Sequence, residues 1–309
     1  MKLAVIGTGA MGSGICQVAA AAGLEVIAVE IDPRAAETGR GRIAEFVRRG
    51  VDKGKIPAAD RDRILGRIRI VTALDEAAAA DFAIEAITED PVLKAETFSA
   101  LDRQCRPEVI LASNTSSISI TRLAAATRRP EQVIGMHFFN PVPMMRLVEV
   151  IRGLATSDAT FAATRDLALR LGKTPVEAHD SPGFVSNRVL MPMINEAVYA
   201  LMEGVASAEA IDQVMVLGMN HPMGPLALAD LVGLDVCLHV MEVLHEGLGD
   251  SKYRPCPLLR RMVDAGRLGR KTGRGFYAYP PVGEPPSAAS RPAKSAGGDP
   301  PAPRGRTRS

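Results

Sequence analysis

Leu3-Ala-Val-Ile-Gly-Thr-Gly-Ala-Met-Gly12 opens the chain as a short apolar run that breaks into a loop of three glycines. An alanine-rich helix is expected over 12–22, stopped by Gly23, and Glu25-Val-Ile-Ala-Val29 reads as a second strand ending at Glu30. Strand, glycine loop, helix, strand and closing acid together make a βαβ unit of the dinucleotide-binding kind. Gly7 permits the tight turn, Gly9 lets the backbone approach a pyrophosphate, and Gly12 allows close helix–strand packing. Thr8, Ala10 and Met11 complete the loop, and the free N–H groups and dipole of the helix start favour an anion there. The Glu30 carboxylate can accept hydrogen bonds from the adenosine ribose hydroxyls and would repel a 2′-phosphate. NAD is therefore favoured over NADP, with Arg34 one turn away as the counterweight. The plainer alternative, a glycine-rich turn in some other α/β unit, has little room in this context.

Outward from that unit the alternation continues. Residues 33–62 read as helical and basic, with Arg40, Arg42, Arg48, Arg49, Lys53 and Lys55. Such a run is by default a solvated face, and otherwise a clamp for a polyanionic ligand arm. Ile68-Arg-Ile-Val71 and Phe82-Ala-Ile-Glu-Ala-Ile87 read as strands, with alanine-rich helical turns between them. Glu89-Asp-Pro-Val-Leu-Lys94 opens a helix with acids in its first turn, which suits the dipole. Val109-Ile-Leu-Ala-Ser113 is a buried strand that ends in Asn114-Thr-Ser-Ser117, where an open α/β sheet places its ligand crevice. Ser116 or Ser117 could also cap a helix over 118–126. A helix over 158–171 and a strand over 174–178 follow, so a Rossmann-like, doubly wound α/β sheet is expected.

A second stretch carries the chemistry: Ile134-Gly-Met-His-Phe-Phe-Asn-Pro-Val-Pro-Met-Met-Arg-Leu-Val-Glu149. It reads as a strand, a corner set by Pro141 and Pro143, and a second strand entering Glu149, because Asn-Pro-Val-Pro continues neither a helix nor a paired central strand. If the two arms fold back on each other, His137 and Glu149 meet. A carboxylate on one ring nitrogen fixes the tautomer and stabilises the conjugate acid, leaving the other nitrogen to exchange protons with a substrate. The bland alternative is a core histidine satisfied by a backbone carbonyl, with Glu149 solvated.

At Asp180-Ser-Pro-Gly183 the alternation of strand and helix stops. Residues 184–203 read as one long apolar helix interrupted by Pro192, with Asn187 in line with Leu190, Met191 and Ile194. An amide on an apolar stripe needs a partner, either another side chain or a ligand. A second apolar helix is expected over 226–244, and the excess of apolar faces implies an oligomer interface. Leu268-Gly-Arg-Lys-Thr-Gly-Arg-Gly-Phe-Tyr277 reads as a glycine-rich basic loop leading into a short aromatic strand. The expected organisation is a cofactor domain over 1–182, an all-α C-terminal domain over 183–279, and a disordered Pro-, Ala- and Arg-rich tail over 280–309.

The chain's 309 residues leave room for about two domains, and 37 basic against 35 acidic residues leave a net charge of +2. No global field selects nucleic acid or an acidic membrane surface. Cys16, Cys105, Cys237 and Cys256 lie far apart without metal-ligand spacing, which fits a reducing cytoplasm rather than a zinc site or disulfide framework. His179, His221, His239 and His245 lack mutual ligand spacing and read as structural. With neither a signal sequence nor a long apolar span, a soluble cytoplasmic protein is expected.

With GTGAMGSGI, LASNTSSISIT, GMHFFNPVPMMRLVEVI, PGFVSNR, NHPMGPLALADLVGLD and LGRKTGRGFYAY in view, residues 2–279 resemble the short-chain L-3-hydroxyacyl-CoA dehydrogenases of the bacterial 3-hydroxybutyryl-CoA dehydrogenase type. The resemblance implies that His137 is the base that takes the 3-hydroxyl proton, that Glu149 orients it, and that Ser116 and Asn187 hold the substrate oxygen. It implies cofactor contacts at Glu89, Lys94, Asn140 and Lys271, with Ser116 beside them, and a coenzyme A contact at Lys53. Phe46 stands where some members carry a serine that also touches coenzyme A. The family is usually dimeric through its helical domain, so a homodimer acting on an acyl-CoA is expected.

The chemistry has its own logic. A secondary alcohol that loses hydride from carbon must lose a proton from oxygen, and His137 is the only histidine at the expected crevice. Two other readings compete: a dehydrogenase of the same fold acting on a free hydroxy acid or sugar acid, and a non-catalytic NAD-binding structural or sensor protein.

Overall fold

The computed structural model describes residues 1–280; the tail expected to be disordered lies, from residue 281 on, outside the described residues. Eight strands form one sheet: β1 (Lys2–Ile6), β2 (Glu25–Val29), β3 (Ile68–Val71), β4 (Phe82–Glu85), β5 (Ile110–Ser113), β6 (Val133–Phe138), β7 (Leu147–Arg152) and β8 (Thr174–His179). Their order is β3-β2-β1-β4-β5-β6-β7-β8, the doubly wound order extended by two strands. Every pairing is parallel except that of β6 with β7. Helices on both faces explain why β1, β4 and β6 are continuous apolar runs rather than alternating ones. Leu3, Ala4 and Val5 of β1 are all fully buried, as are Ile134 and Met136 of β6.

Local chemistry sets the helix ends. Helix α1 (Ala10–Ala21) follows the glycine loop. Helix α2 (Pro33–Asp52) starts at Pro33, capped by Asp32, whose side chain accepts from the N–H groups of Arg34 and Ala35. It was expected to run to residue 62, but Lys53 ends it and Gly54 turns left-handed at φ 64°. A short helix, α3 (Arg61–Gly66), resumes after Pro57. Helix α4 (Pro91–Gln104) repeats the Asp-Pro start: Asp90 is the cap, and no acid occupies the first turn, contrary to expectation. Helix α5 (Ile120–Ala124) is capped by Ser119, not by Ser116 or Ser117, which frees both for other bonds. Helix α6 (Asp158–Arg170) returns to the sheet between β7 and β8.

The described residues fold into two compact units, one of residues 1–196 with 238–256 and the other of 197–237 with the described residues from Pro257 on. After β8 the described chain continues in helices: α7 (Ser186–Met202), α8 (Ala208–Gly218), α9 (Pro225–Val232), α10 (Leu234–Leu248) and α11 (Pro257–Asp264). Pro192 sits inside α7 without ending it. The single helix expected over 226–244 is two, because Gly233 at φ 107° leaves the helical region between α9 and α10. Helices α8 and α11 were not read from the sequence. The expected aromatic strand is instead a pair of bridges, Gly269 with Arg274 and Arg274 with Ala278, folded over Asp230. Asp230 accepts from the N–H groups of Phe276 and Tyr277 and from the Tyr279 hydroxyl, at 3.0, 2.9 and 3.0 Å. A Cβ on Gly275 would fall 1.9 Å from Asp230 Oδ1, so the glycines of this loop close it over the carboxylate. No helix among the described residues is long and apolar enough to cross a membrane.

Candidate active site

The glycine loop lies where the strand order reverses, between β1 and β4. Gly7 has φ 97°, and a Cβ there would meet the Ala86 carbonyl oxygen at 2.7 Å. A Cβ on Gly12 would sit 1.9 Å from the Gly7 oxygen, so both positions exclude a side chain. At Gly9 nothing lies within 4 Å of where a Cβ would be. Gly9 is also the N-cap of α1 and offers no side-chain bond to its first turn, which Ala10, Met11 and Gly12 form. An open approach onto uncapped amides at a helix start fits a dinucleotide pyrophosphate. Thr8 is held rigidly: Glu30 Oε2 accepts from its N–H at 3.0 Å and its hydroxyl at 3.2 Å. Arg42 Nη1 and Ser13 Oγ each donate to the Thr8 carbonyl at 2.8 Å. Arg42, counted in the basic run, thus turns inward to brace the loop.

The ends of β4 and β5 carry an ionic cluster. Glu85, the last residue of β4, is fully buried and accepts from Lys94 Nζ at 2.6 Å, Ser113 Oγ at 2.7 Å and the Ile87 N–H at 2.7 Å. Lys94 is only 1% exposed and reaches Glu89 Oε2 at 3.3 Å as well. The other oxygen of Glu89 gathers the loop after β5: Thr115 Oγ1 at 2.5 Å, the N–H groups of Ser116 and Ser117 at 2.9 and 3.1 Å, and the two serine hydroxyls at 3.3 and 3.0 Å. One oxygen cannot serve five donors well, and the Ser116 hydroxyl makes the longest of these bonds. Burial alone would raise the Glu89 carboxyl; the Lys94 charge and the bonds from Thr115, Ser116 and Ser117 outweigh it and hold Glu89 below the usual carboxylate range.

His137 and Glu149 meet as the sequence implied. They are register partners across the antiparallel β6–β7 pair, and His137 Nδ1 lies 2.8 Å from Glu149 Oε2. Phe139 and Phe184 flank the imidazole, with ring centroids 4.6 and 6.0 Å away. The carboxylate also accepts from the Val185 N–H at 3.2 Å, the Ser186 N–H at 2.9 Å and the Ser186 hydroxyl at 2.9 Å. Burial pushes the Glu149 carboxyl up, but His137 and the two Ser186 bonds hold it below its ordinary value. Glu149 is therefore an anion at neutral pH, an arrangement that keeps the proton on Nδ1 and leaves Nε2 to exchange one. Asn187 finds its partner on the loop after β5: its Nδ2 donates to the Ser116 carbonyl at 3.2 Å. The Asn114 side chain accepts from the Phe138 N–H at 3.0 Å and ties that loop to β6.

Asn140 is exposed at the corner between β6 and β7. Lys53, at the end of α2, lines a cavity of about 430 Å³ with Phe46, Arg49, Lys55, Pro143 and Met144. Lys271 belongs to the second unit, where its Nζ is 2.6 Å from the Asp235 carboxylate. Sequence reasoning missed Glu85 and Ser186, and it read Arg42 only as part of the basic run. Glu85 had one available signal, an acid at the end of an otherwise apolar strand; Ser186 had none, because its role depends on a turn at Phe184, whose φ is 48°.

Residues 2–181 match the family model described as 3-hydroxyacyl-CoA dehydrogenase, NAD binding domain, and residues 183–279 match the corresponding C-terminal domain. Over 278 residues the chain is 60% identical to a probable 3-hydroxybutyryl-CoA dehydrogenase of Bacillus subtilis, covering 90% of this chain and 97% of that one. It is 53% identical to a 3-hydroxybutyryl-CoA dehydrogenase of Bradyrhizobium diazoefficiens, over 90% of this chain and 95% of the other. The crystal structure of (S)-3-hydroxybutyryl-CoA dehydrogenase from Ralstonia eutropha superposes with a TM-score of 0.88 at 53% identity, over 90% and 99% of the two chains.

Proposed function

The chain belongs to the 3-hydroxyacyl-CoA dehydrogenase family, and from that membership we propose that it oxidises (S)-3-hydroxybutyryl-CoA to the 3-oxo thioester with His137 as the base. The observation that carries this reading is the 2.8 Å pairing of His137 with a carboxylate that four donors keep ionised and fixed.

A bound NAD would supply the acceptor for the hydride released from C3. His137 Nε2 takes the 3-hydroxyl proton, Nδ1–H stays on Glu149, and the anion stabilises the imidazolium that results. In the reverse direction the same imidazolium returns the proton. Ser116 Oγ, the most loosely held donor on Glu89, turns to the substrate oxygen, and the Asn187 amide holds the loop in register and adds a second donor. Gly7, Thr8, Gly9, Ala10, Met11 and Gly12 supply the phosphate site and Glu30 the ribose contact. Asn140, Glu89 and Lys271 would be the residues to hold the remainder of the cofactor. Lys94 acts through Glu89, to which it is bound.

The acyl-CoA arm occupies the cavity beside Lys53, where Phe46 and Met144 give apolar walls and Lys53 and Lys55 give charge. Residues 1–182 serve the cofactor and also hold the cavity for the acyl-CoA arm, and 183–279 serve substrate through Asn187 and dimerisation. Val205, Val214, Leu217 and Met219, all between 60% and 82% exposed, provide apolar surface for a second copy of the chain. A cytoplasmic setting suits four buried free thiols.

The test is NADH absorbance on adding 3-hydroxybutyryl-CoA, with free 3-hydroxybutyrate and a sugar acid as comparisons. Turnover is expected with the thioester and NAD. Turnover with a free acid alone, or NAD binding without turnover of any of the three, overturns the reading.

A further inference from the structure

Among the donors on Glu149, the Ser186 hydroxyl is the one that shares an oxygen with His137. Oε2 receives Nδ1–H at 2.8 Å and Ser186 Oγ–H at 2.9 Å, while Oε1 receives only backbone N–H groups. Neither backbone donor can be removed by a side-chain change, so Ser186 is the adjustable member. We propose that Ser186 is a positioning residue that sets how strongly Glu149 holds the protonated form of His137, an inference that rests on His137 being the base.

A hydroxyl donating to a carboxylate oxygen stabilises its charge and draws electron density from the bond it makes elsewhere. With Ser186 in place, Oε2 divides its charge between two protons, and its hold on the imidazolium is moderated. The same bond fixes the rotation of the carboxylate, since Oε2 is pinned from α7 and Oε1 from the turn at 184–186. The turn is built for this: Gly183 at φ 74° and Phe184 at φ 48° swing the start of α7 so that the Val185 and Ser186 amides and the Ser186 hydroxyl all point at one carboxylate. A Cβ on Gly183 would meet Leu244 Cδ2 at 2.7 Å, so α10 backs this turn with an apolar side chain.

Other groups around the pair are committed elsewhere. Glu89 is held by Lys94 and the 115–117 loop, and Lys94 by Glu85. Arg188, on α7, lies over the Tyr253 ring at 5.0 Å. On β8, Val176 is the register partner of Glu149, and Glu177 reaches Arg152 at 3.4 Å. Ser186 is thus the polar side chain on α7 in direct bond with the dyad.

The test is the pH profile of kcat for hydroxyacyl-CoA oxidation in Ser186→Ala, Ser186→Thr, Ser186→Val and Glu149→Gln. Without the hydroxyl the carboxylate holds the imidazolium more tightly, so the acid limb of Ser186→Ala and Ser186→Val should move to higher pH by roughly half a unit. Ser186→Thr, which keeps the donor, should leave the limb in place, and Glu149→Gln should move it the other way. If Ser186→Ala does not fold, the near-isosteric Thr and Val variants carry the same comparison. A limb unmoved or lowered in Ser186→Val while Glu149→Gln shifts it overturns the role of Ser186 alone. A limb that no variant moves overturns the His137–Glu149 reading with it. A lower kcat at every pH with a fixed limb identifies Ser186 as merely structural and overturns the proposal.

Discussion

His137 and Glu149 sit directly opposite each other across the one antiparallel pairing of the sheet, Nδ1 to Oε2 at 2.8 Å. Opposed residues of an antiparallel pair project to the same face with Cβ atoms about 4.5–5.5 Å apart, a distance that imidazole and carboxylate span together. The strand reversal therefore builds the dyad.

From that relationship, His137→Gln should lower kcat by roughly a hundredfold or more while NAD still binds. Glu149→Gln keeps shape and a hydrogen-bonding group but removes the charge that favours the imidazolium. It should lower kcat and move the onset of oxidation to lower pH. Because the two act as a unit, the double variant should be little worse than His137→Gln alone. Steady-state kinetics across pH decide it; losses that multiply in the double variant would refute the partnership.

Charge counting makes a second prediction at the sheet edge. Glu85→Gln leaves Lys94 with Glu89, one cation and one anion. Lys94→Met leaves Glu85 and Glu89 with no cation, and Glu85 is fully buried. Removing one partner of a buried pair costs about 3–5 kcal/mol. Lys94→Met should reach that range and Glu85→Gln should fall below it, as read from urea unfolding. Equal losses would mean that Glu89 does not compensate.

A third outcome concerns acid. The carboxyls of Glu89, Glu149 and Asp102 are lowered despite burial, the last by Arg128 and Arg129. A group with a lowered folded value stabilises the fold above its unfolded value and loses that contribution as pH falls through the folded one. Stability should therefore hold from neutral pH down to the ordinary carboxylate values of 4.5 for Glu and 3.8 for Asp, then decline steadily below them. Thermal unfolding followed across acid pH checks this, and a midpoint that rises on acidification would contradict it.

Much of this was legible before the structure. The glycine loop with Glu30 is local chemistry, and the dyad follows from two strands joined by a proline corner. Ser116 and Asn187 were named as candidates, yet their link, Asn187 Nδ2 to the Ser116 carbonyl, joins residues distant in sequence. Glu85 gave one signal, an acid closing an apolar strand, but its partner Lys94 lies nine residues on and folds back onto it only in three dimensions. The helix over 33–62 was read too long because basic residues on both sides of Gly54 gave a continuous polar pattern, while a single left-handed glycine ended it. Periodicity reports faces, and it does not report which of two charges a third will choose.

That choice decides the last prediction. Three arginines of α2 are already occupied. Arg48 bonds Glu45 and Asp52 at 2.8 and 2.6 Å, Arg49 bonds Glu45 at 2.6 Å, and Arg42 braces the glycine loop. Arg40, Arg48 and Arg49 thus form a solvated, self-neutralised face, the bland reading. Lys53 differs in position: it ends the helix and lines the cavity with Phe46 and Lys55. Remote from the reacting carbon, it would contribute binding that substrate and transition state share equally. Lys53→Ala should therefore raise KM for the acyl-CoA by up to about fivefold, the equivalent of about 1 kcal/mol for an exposed charge contact. Both kcat and KM for NAD should stay unchanged, and added salt should shrink the difference by screening. Arg48→Ala, its charge already spent, is the control and should leave all three constants alone. An unchanged KM in Lys53→Ala, or an equal rise in Arg48→Ala, would mean that the cavity is not where the coenzyme A arm binds.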